Sequence, residues 1–371
     1  MKKYLLNFRY AVRMGKPFLI GRLIKTFLGI LFLRRRPLRY VDFAIGYSCN
    51  LKCAHCFATA LEDGRMRRGV SPAHKQNPRK MQPTQSRGRR RITPKEYAEI
   101  AQQAMALGAV NFSFQGGEPT LYPELKEYIQ AVRPERNVVS VTTNGTLLDR
   151  ENILALRQAG VDILTISLDS AKPEIHDAFR GIQGTFAKTM QTIRTAMEVG
   201  LRVTVGAVVT PENLRSQDLR DLIDLVTGMN VILFLALAAP VGEWQHNTHI
   251  FFSPADRLFL DELTARNPLV RTDFAANFIH YGCGAVKEIL YITPFGDVLP
   301  CPFLHTSLGN LFEESLATIR QRALQNPWFA DYGQLCLAAE DREYLAKHNK
   351  PFQDAHGRIS RYEETDPEQK N

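Results

Sequence analysis

Acidic residues are missing from two long stretches of this 371-residue chain. Residues 1–40 carry eleven Lys and Arg without one Asp or Glu, and residues 64–91 carry ten, again without an acid. The remainder holds 26 basic against 38 acidic side chains, so a formal net charge of +9 describes two basic appendages on an acidic body. That distribution excludes a protein that binds nucleic acid over its whole surface. Long apolar runs are also missing. The longest, Phe18–Leu33, is sixteen residues and contains Arg22 and Lys25, short of the roughly 20 apolar residues a membrane span needs. Internal repeats are absent. Residues 64–91 have almost no aliphatics and hold Pro72, Pro78 and Pro83, so they are expected to form a solvated, mobile insertion rather than core. The polar tail 350–371 is expected to fray.

Phe18–Leu33, closed by Arg34, Arg35 and Arg36, is expected to be a basic amphipathic helix at a membrane surface. Buried apolar side chains and attraction of Lys and Arg to anionic lipid would hold it there. The alternatives are a helix packed on the body, a true span, and a signal peptide, the last disfavoured by the lack of a small-residue cleavage site.

What is present is a compact group of cysteines, Cys49, Cys53 and Cys56, in Gly46-Tyr-Ser-Cys-Asn-Leu-Lys-Cys-Ala-His-Cys-Phe57. The spacing C-x3-C-x2-C offers three thiolates where a closed metal site wants four, and structural zinc is usually held by C-x2-C pairs. Further landmarks follow. Val110–Gln115 reads as a strand running into Gly116-Gly117-Glu118-Pro119; Val138–Thr143 as a β-branched strand ending in Asn144-Gly145; and Ile163–Leu168 as a strand whose end sets Ser167 and Asp169 on one face. Singly, an ordinary turn and a helix cap explain Asn144, Ser167 and Asp169; in this order they resemble the radical S-adenosylmethionine (radical SAM) enzymes. The resemblance implies a 4Fe-4S cluster on Cys49, Cys53 and Cys56 whose open iron is chelated by S-adenosyl-L-methionine (SAM). It further implies SAM contacts from His55, which takes the place of the family's usual aromatic, and from Gly116, Gly117, Glu118, Asn144, Ser167 and Asp169. Arg180, in Ile175–Phe186, is placed either at the SAM carboxylate or in a surface ion pair. The cluster also implies a reducing compartment, where disulfides are rare.

Short apolar runs at 41–46, 110–115, 138–143, 163–168, 202–208 and 231–237 alternate with helical segments such as 94–107 and 185–199, which predicts α/β architecture with a buried parallel sheet. The resemblance makes this a partial (β/α)6 barrel over 39–240. The N-terminal segment 1–38 precedes it, the insertion 64–91 interrupts it, and a connection at 241–280 follows, where Trp244, His246 and His249 lie near the barrel mouth.

The remaining cysteines fall at Cys283, Cys301 and Cys336. Cys283, Gly296 and Cys301 in C-x12-G-x4-C, around a hairpin at Leu290–Leu299, resemble the opening of SPASM and Twitch auxiliary-cluster domains, expected over 281–349 before the tail. Three cysteines are fewer than either pattern. The expectation is a second 4Fe-4S cluster that has an open iron or recruits His305 or an oxygen ligand; the alternative is that these cysteines are merely buried small residues.

The resemblance implies reductive cleavage of SAM and hydrogen abstraction by a 5′-deoxyadenosyl radical, with a flavodoxin or ferredoxin as electron donor. The basic helix points to a lipid or membrane-associated substrate and to a cytoplasmic protein peripheral at the inner membrane face. Peptide maturation or modification of a small metabolite is the alternative, although no leader-recognition domain is expected before residue 39. A metal-cluster protein bound to nucleic acid is the non-enzyme alternative, and it leaves the Gly116–Pro119 turn unexplained.

Overall fold

The computed structural model describes residues 16–33, 35–61, 89–272, 274, 277, 282–348, 352–353 and 359–362. Most of the 64–91 insertion and much of the tail lie outside the described residues. Its helices are α1 (Pro17–Leu33), α2 (Pro94–Ala106), α3 (Leu125–Ala131), α4 (Arg150–Ala159), α5 (Pro173–Arg180), α6 (Thr185–Glu198), α7 (Gln217–Gly228), α8 (Pro254–Arg266), α9 (Leu316–Ala323), α10 (Pro327–Ala330) and α11 (Arg342–His348). Its strands are β1 (Tyr40–Ala44), β2 (Asn111–Gln115), β3 (Val138–Thr143), β4 (Ile163–Ser167), β5 (Arg202–Val209), β6 (Ile232–Leu237), β7 (Val270–Arg271), β8 (Ile289–Ile292), β9 (Asp297–Leu299) and β10 (Gly309–Asn310).

Strands β1 to β6 pair in chain order, all parallel, each joined to the next through a helical crossover. Parallel strands need both faces covered, which is why Val139, Val141, Leu164, Ile166, Val205, Leu233 and Leu235 are all fully buried. N-caps start the crossover helices where the sequence supplies them. Thr93 and Glu96 form a capping box on α2, Asp149 caps α4 and Ser216 caps α7. The six strands fall within two residues of the runs read from the sequence.

The sheet does not end at β1. Strand β8 pairs with β1 in parallel, and the antiparallel hairpin β8–β9 with β10 extends the same sheet to ten strands, with β7 at the other edge. The cysteine-bearing C-terminal region is thus built onto the barrel's open edge. The hairpin turn at Thr293–Asp297 is the expected one: Thr293 N donates to Asp297 O at 2.9 Å, and Gly296 takes φ +85°.

Two expectations change here. The last three residues of the basic insertion are pinned rather than loose: Arg89 pairs with Asp297 and lies over Phe295, Arg90 pairs with Glu96 and lies over Phe312, and Arg91 lies over Tyr122. Part of the tail is packed rather than frayed, because Phe352 is buried against Tyr47 and Phe295, and Ser360 N donates to Phe352 O at 2.8 Å.

Helix α1 lies across the amino ends of β2, β3 and β4. Leu19 and Leu23 pack with Val110, Val138 and Ile163 at the strand starts. Lys16 forms a buried ion pair with Asp162 at 2.5 Å and donates to Asn137 O at 2.7 Å, while Arg22 donates to Ala109 O and to Asn137 Oδ1. One face of the helix is therefore packed on the barrel. No described helix is long and apolar enough to cross a membrane.

Candidate active site

The carboxyl ends of parallel strands form the mouth where ligands bind in such folds. There the chain from β1 enters the loop bearing Cys49, Cys53 and Cys56, and three other segments grip it. From β2, Gly117 N donates to Gly46 O and Glu118 N to Ser48 O, both at 2.9 Å. From α5, Phe179 O accepts from Ala54 N at 3.0 Å and Arg180 O from Lys52 N at 3.3 Å. From the segment after β6, Glu243 N donates to Cys56 O at 3.1 Å. A Cβ on Gly117 would stand 2.2 Å from Ser48 O, and one on Gly242 2.0 Å from Cys56 O; only glycine permits either approach.

The three half-buried thiols lie within electrostatic reach of one another, and burial pushes all three above the usual thiol range. Burial is the largest influence on Cys53, and the Arg180 guanidinium, whose Nη1 lies 3.7 Å from its Sγ, opposes it. A metal-bound thiol is deprotonated outright, so iron would reverse this preference.

Burial, the largest single influence, would raise the Asp169 carboxyl, but Arg180, first among the opposing influences, and the neighbouring imidazoles together outweigh it and hold the group below the usual range; Arg180 Nε donates to Asp169 Oδ2 at 2.7 Å. Burial, again the largest single influence, opposes the charge on Arg180, and Asp169 and Cys53 together outweigh it. The pair is buried, side chains 9% and 6% exposed, so the surface ion pair anticipated for Arg180 is not what forms. Asp169 also accepts from Val208 N at 3.2 Å.

Glu118 is buried, which pushes its carboxyl upward. It accepts from Thr120 N, Thr120 Oγ1, Thr143 Oγ1 and Asn144 N at 2.6–3.1 Å. It therefore locks the β2 and β3 turns together, beyond the SAM contact that the resemblance assigns to it. Asn144 Nδ2 donates to Asn50 Oδ1 at 2.9 Å and lies 4.0 Å from Cys49 Sγ, which brings the β3 turn to the cysteine loop. Ser167 ends β4 beside Gly206.

His55 stacks on Phe179 with centroids 4.4 Å apart and meets Trp244 at 5.9 Å. Burial pushes its pKa down to about 3, so it is neutral, and its buried Nδ1 has no hydrogen-bond partner among the described residues. Such an orphaned atom beside three converging thiols fits a mouth that receives a polar ligand. Among the described residues no three His, Cys, Asp or Glu are arranged to hold a single metal ion. Phe179 and Gly242 were not singled out from the sequence. The Ile175–Phe186 and 240–249 segments that carry them were, but nothing local shows that a backbone will lie against them.

The auxiliary cysteines come from three neighbouring segments. Cys283 and Cys301 flank the open end of the β8–β9 hairpin, whose arms are tied by Val286 N to Pro300 O at 3.3 Å. Cys283 N donates to Gly333 O at 2.9 Å, three residues before Cys336. The buried Tyr344 hydroxyl is within electrostatic reach of both Cys301 and Cys283. His305 is buried, its pKa is lowered to about 4, and its Nε2 donates to Pro302 O at 2.9 Å. The two cysteine regions touch through Phe57, which meets Phe303 at 5.4 Å and His305 at 6.3 Å.

These elements define a parallel β/α enzyme with a three-thiol cluster loop at its mouth and a second cysteine group on the adjoining sheet edge. Residues 43–226 match the model of the Radical SAM superfamily, and residues 283–341 match that of the SPASM iron-sulfur cluster-binding domain. The chain belongs to the radical SAM superfamily, which brings with it a 4Fe-4S cluster and SAM, and an auxiliary cluster with the SPASM domain. It is 28% identical over 294 residues to the antilisterial bacteriocin subtilosin biosynthesis protein AlbA of Bacillus subtilis, covering 76% of this chain and 59% of that one. It is 23% identical over 350 residues to the AdoMet-dependent heme synthase of Methanosarcina barkeri, covering 83% of this chain and 93% of the synthase. The fold resembles the crystal structure of Streptococcus suis SuiB bound to precursor peptide SuiA, with a TM-score of 0.59 and 19% identity over 87% of this chain and 76% of that one.

Proposed function

We propose that this chain is a radical SAM enzyme that modifies a peptide. The observation that carries this reading is similarity over 76% of this chain to a bacteriocin biosynthesis protein, in a fold like that of a protein crystallised with its precursor peptide. Peptide maturation, the alternative read from the sequence, thus stands ahead of a lipid substrate. Haem-type chemistry is the second reading, favoured by the synthase whose length the chain nearly spans.

When bound, the cluster and SAM supply a 5′-deoxyadenosyl radical that abstracts hydrogen from an unactivated C–H bond. The protein's residues do the rest. Gly116 and Gly117 bring backbone against the cysteine loop, Glu118 and Asn144 fix the β2 and β3 turns, and Ser167 with the Asp169–Arg180 pair lines the β4 side. His55, Phe179 and Trp244 form an aromatic wall suited to a flat ring such as adenine. Cys283, Cys301 and Cys336 would hold the auxiliary cluster on the far side of Phe57. A small electron carrier such as flavodoxin or ferredoxin is the proposed reductant. Peripheral attachment to a lipid surface belongs to the proposal for where the protein sits, not for what it modifies.

The test is 5′-deoxyadenosine formation by the anaerobically reconstituted, reduced protein with SAM, supplied in turn with the small-peptide fraction, a porphyrin fraction and total lipid of the source cells. Stimulation by peptides, with a hydrogen-loss product in their mass spectrum, is expected. Stimulation confined to porphyrins or lipid removes the peptide reading.

A further inference from the structure

Helix α1 inverts the usual arrangement of a packed helix. Its inward face holds Leu19, Leu23 and Gly29, all buried. Its outward face carries Phe18, Ile20, Ile24, Leu28, Leu31 and Phe32, with Ile24 56%, Leu31 64% and Phe32 75% exposed. At 100° per residue, Ile20, Ile24, Leu28, Leu31 and Phe32 form one stripe about 120° wide. Contiguous apolar surface of this kind marks a docking site.

The edges of the stripe say what docks there. Lys25 lies on the outward face and Arg35 just beyond the helix end, both exposed, in a 40-residue stretch without an acidic residue. A second copy of the chain would bring like charges together. Anionic lipid offers apolar depth and negative headgroups at once.

The packing adds an orientation. The inward face covers the amino ends of β2–β4, whereas Cys49, Gly116, Asn144 and Asp169 follow the carboxyl ends of β1–β4. The stripe and the mouth are at opposite ends of the barrel. We propose that the outward stripe of α1 lies on an anionic membrane surface and holds the mouth turned away from the bilayer. Substrate then arrives from the aqueous side, and the lipid is an anchor rather than a reactant. The inference does not depend on the substrate class.

The test is flotation of the full chain with phosphatidylcholine vesicles, with and without phosphatidylglycerol. Binding to the anionic vesicles is expected. The double variant Ile24→Asp, Leu28→Asp should bind at least about tenfold more weakly, since two large aliphatic anchors are lost. Lys25→Gln should cost about fivefold. Both positions are exposed, so an unchanged melting temperature separates lost docking from lost fold. Orientation is read with brominated lipid: the two native tryptophans, Trp244 beside the mouth and Trp328 in the auxiliary region, should be unquenched, whereas Leu28→Trp adds a quenched component. Failure to bind anionic vesicles, or capture instead by an acidic protein, overturns the lipid assignment. Quenching of the native tryptophans overturns the orientation.

Discussion

The two cysteine groups are held in opposite ways. Cys49, Cys53 and Cys56 lie within eight residues of chain, and three foreign segments clamp that loop through backbone hydrogen bonds and glycines. Cys283, Cys301 and Cys336 span 54 residues and lie on neighbouring segments only because a hairpin extends the barrel sheet and Gly333 hydrogen-bonds to Cys283. Closing the longer loop costs about 2 kcal/mol more in chain entropy, from the logarithm of the length ratio, a cost that sheet pairing must offset. A site written into one loop is built from contacts around it; a site written across three segments is built from the fold itself.

The sharpest way to break that contrast is to remove one thiol from each group. Cys53→Ala should abolish 5′-deoxyadenosine formation from SAM. Cys301→Ala should leave SAM cleavage measurable but uncoupled, with 5′-deoxyadenosine produced and no modified substrate. Equal loss in both would mean that the groups do not have separate roles.

Next in size is the glycine clamp. Gly117→Ala drives a methyl group to 2.2 Å from Ser48 O, so the loop should fail to close and iron should load only at the auxiliary group. Gly296→Ala, whose Cβ would meet Asn310 Oδ1 at 3.0 Å with φ +85°, strains one turn and should cost about 1–3 kcal/mol of stability. Iron content per chain separates the two.

The buried ion pairs give a smaller contrast. Arg180→Gln strands Asp169, 6% exposed, and should destabilise the apoprotein by about 3 kcal/mol in denaturant unfolding. Arg89→Gln breaks a pair whose cation is 23% exposed, and about 1 kcal/mol is expected after solvent screening.

The smallest effect is on pH dependence. His55 at the mouth and His305 in the auxiliary region titrate at about 3 and about 4 when folded, against about 6.5 unfolded. A depressed histidine pKa means that the unfolded chain binds more protons in between. Their contribution is therefore complete above pH 6.5 and lost as pH falls toward 4, so the denaturation midpoint of the apoprotein should drop steadily over that range. His305→Asn should flatten the slope; no change would mean that His305 is solvated.

Much of the barrel was legible because buried parallel strands leave continuous β-branched runs such as Val138–Thr143. The cysteine loop was legible because its ligands are adjacent in sequence. What could not be read depends on contacts between distant segments. Gly242 looks like linker glycine until its neighbour proves to be Cys56 O; Arg180 looks like a surface residue until α5 turns it toward Asp169. Phe352 sits in a polar tail, and only the apolar patch of Tyr47 and Phe295 explains why it is buried. Helix α1 misled differently. Its composition pointed to lipid, and lipid suggested substrate, whereas its place at the amino ends of the strands separates the two.

The bonds from Gly117 to Gly46 and from Glu118 to Ser48 join the turn after β2 to the loop after β1, so they act as a gauge of strand alignment. A slip of one residue between β1 and β2 would carry the turn away from the thiols and turn every side chain of the slipped strand to the other face. Such a misaligned chain has no place to seat iron at that loop. The colour of the reconstituted protein thus proofreads its own folding: only molecules with the barrel's first seam in register should turn brown at that loop.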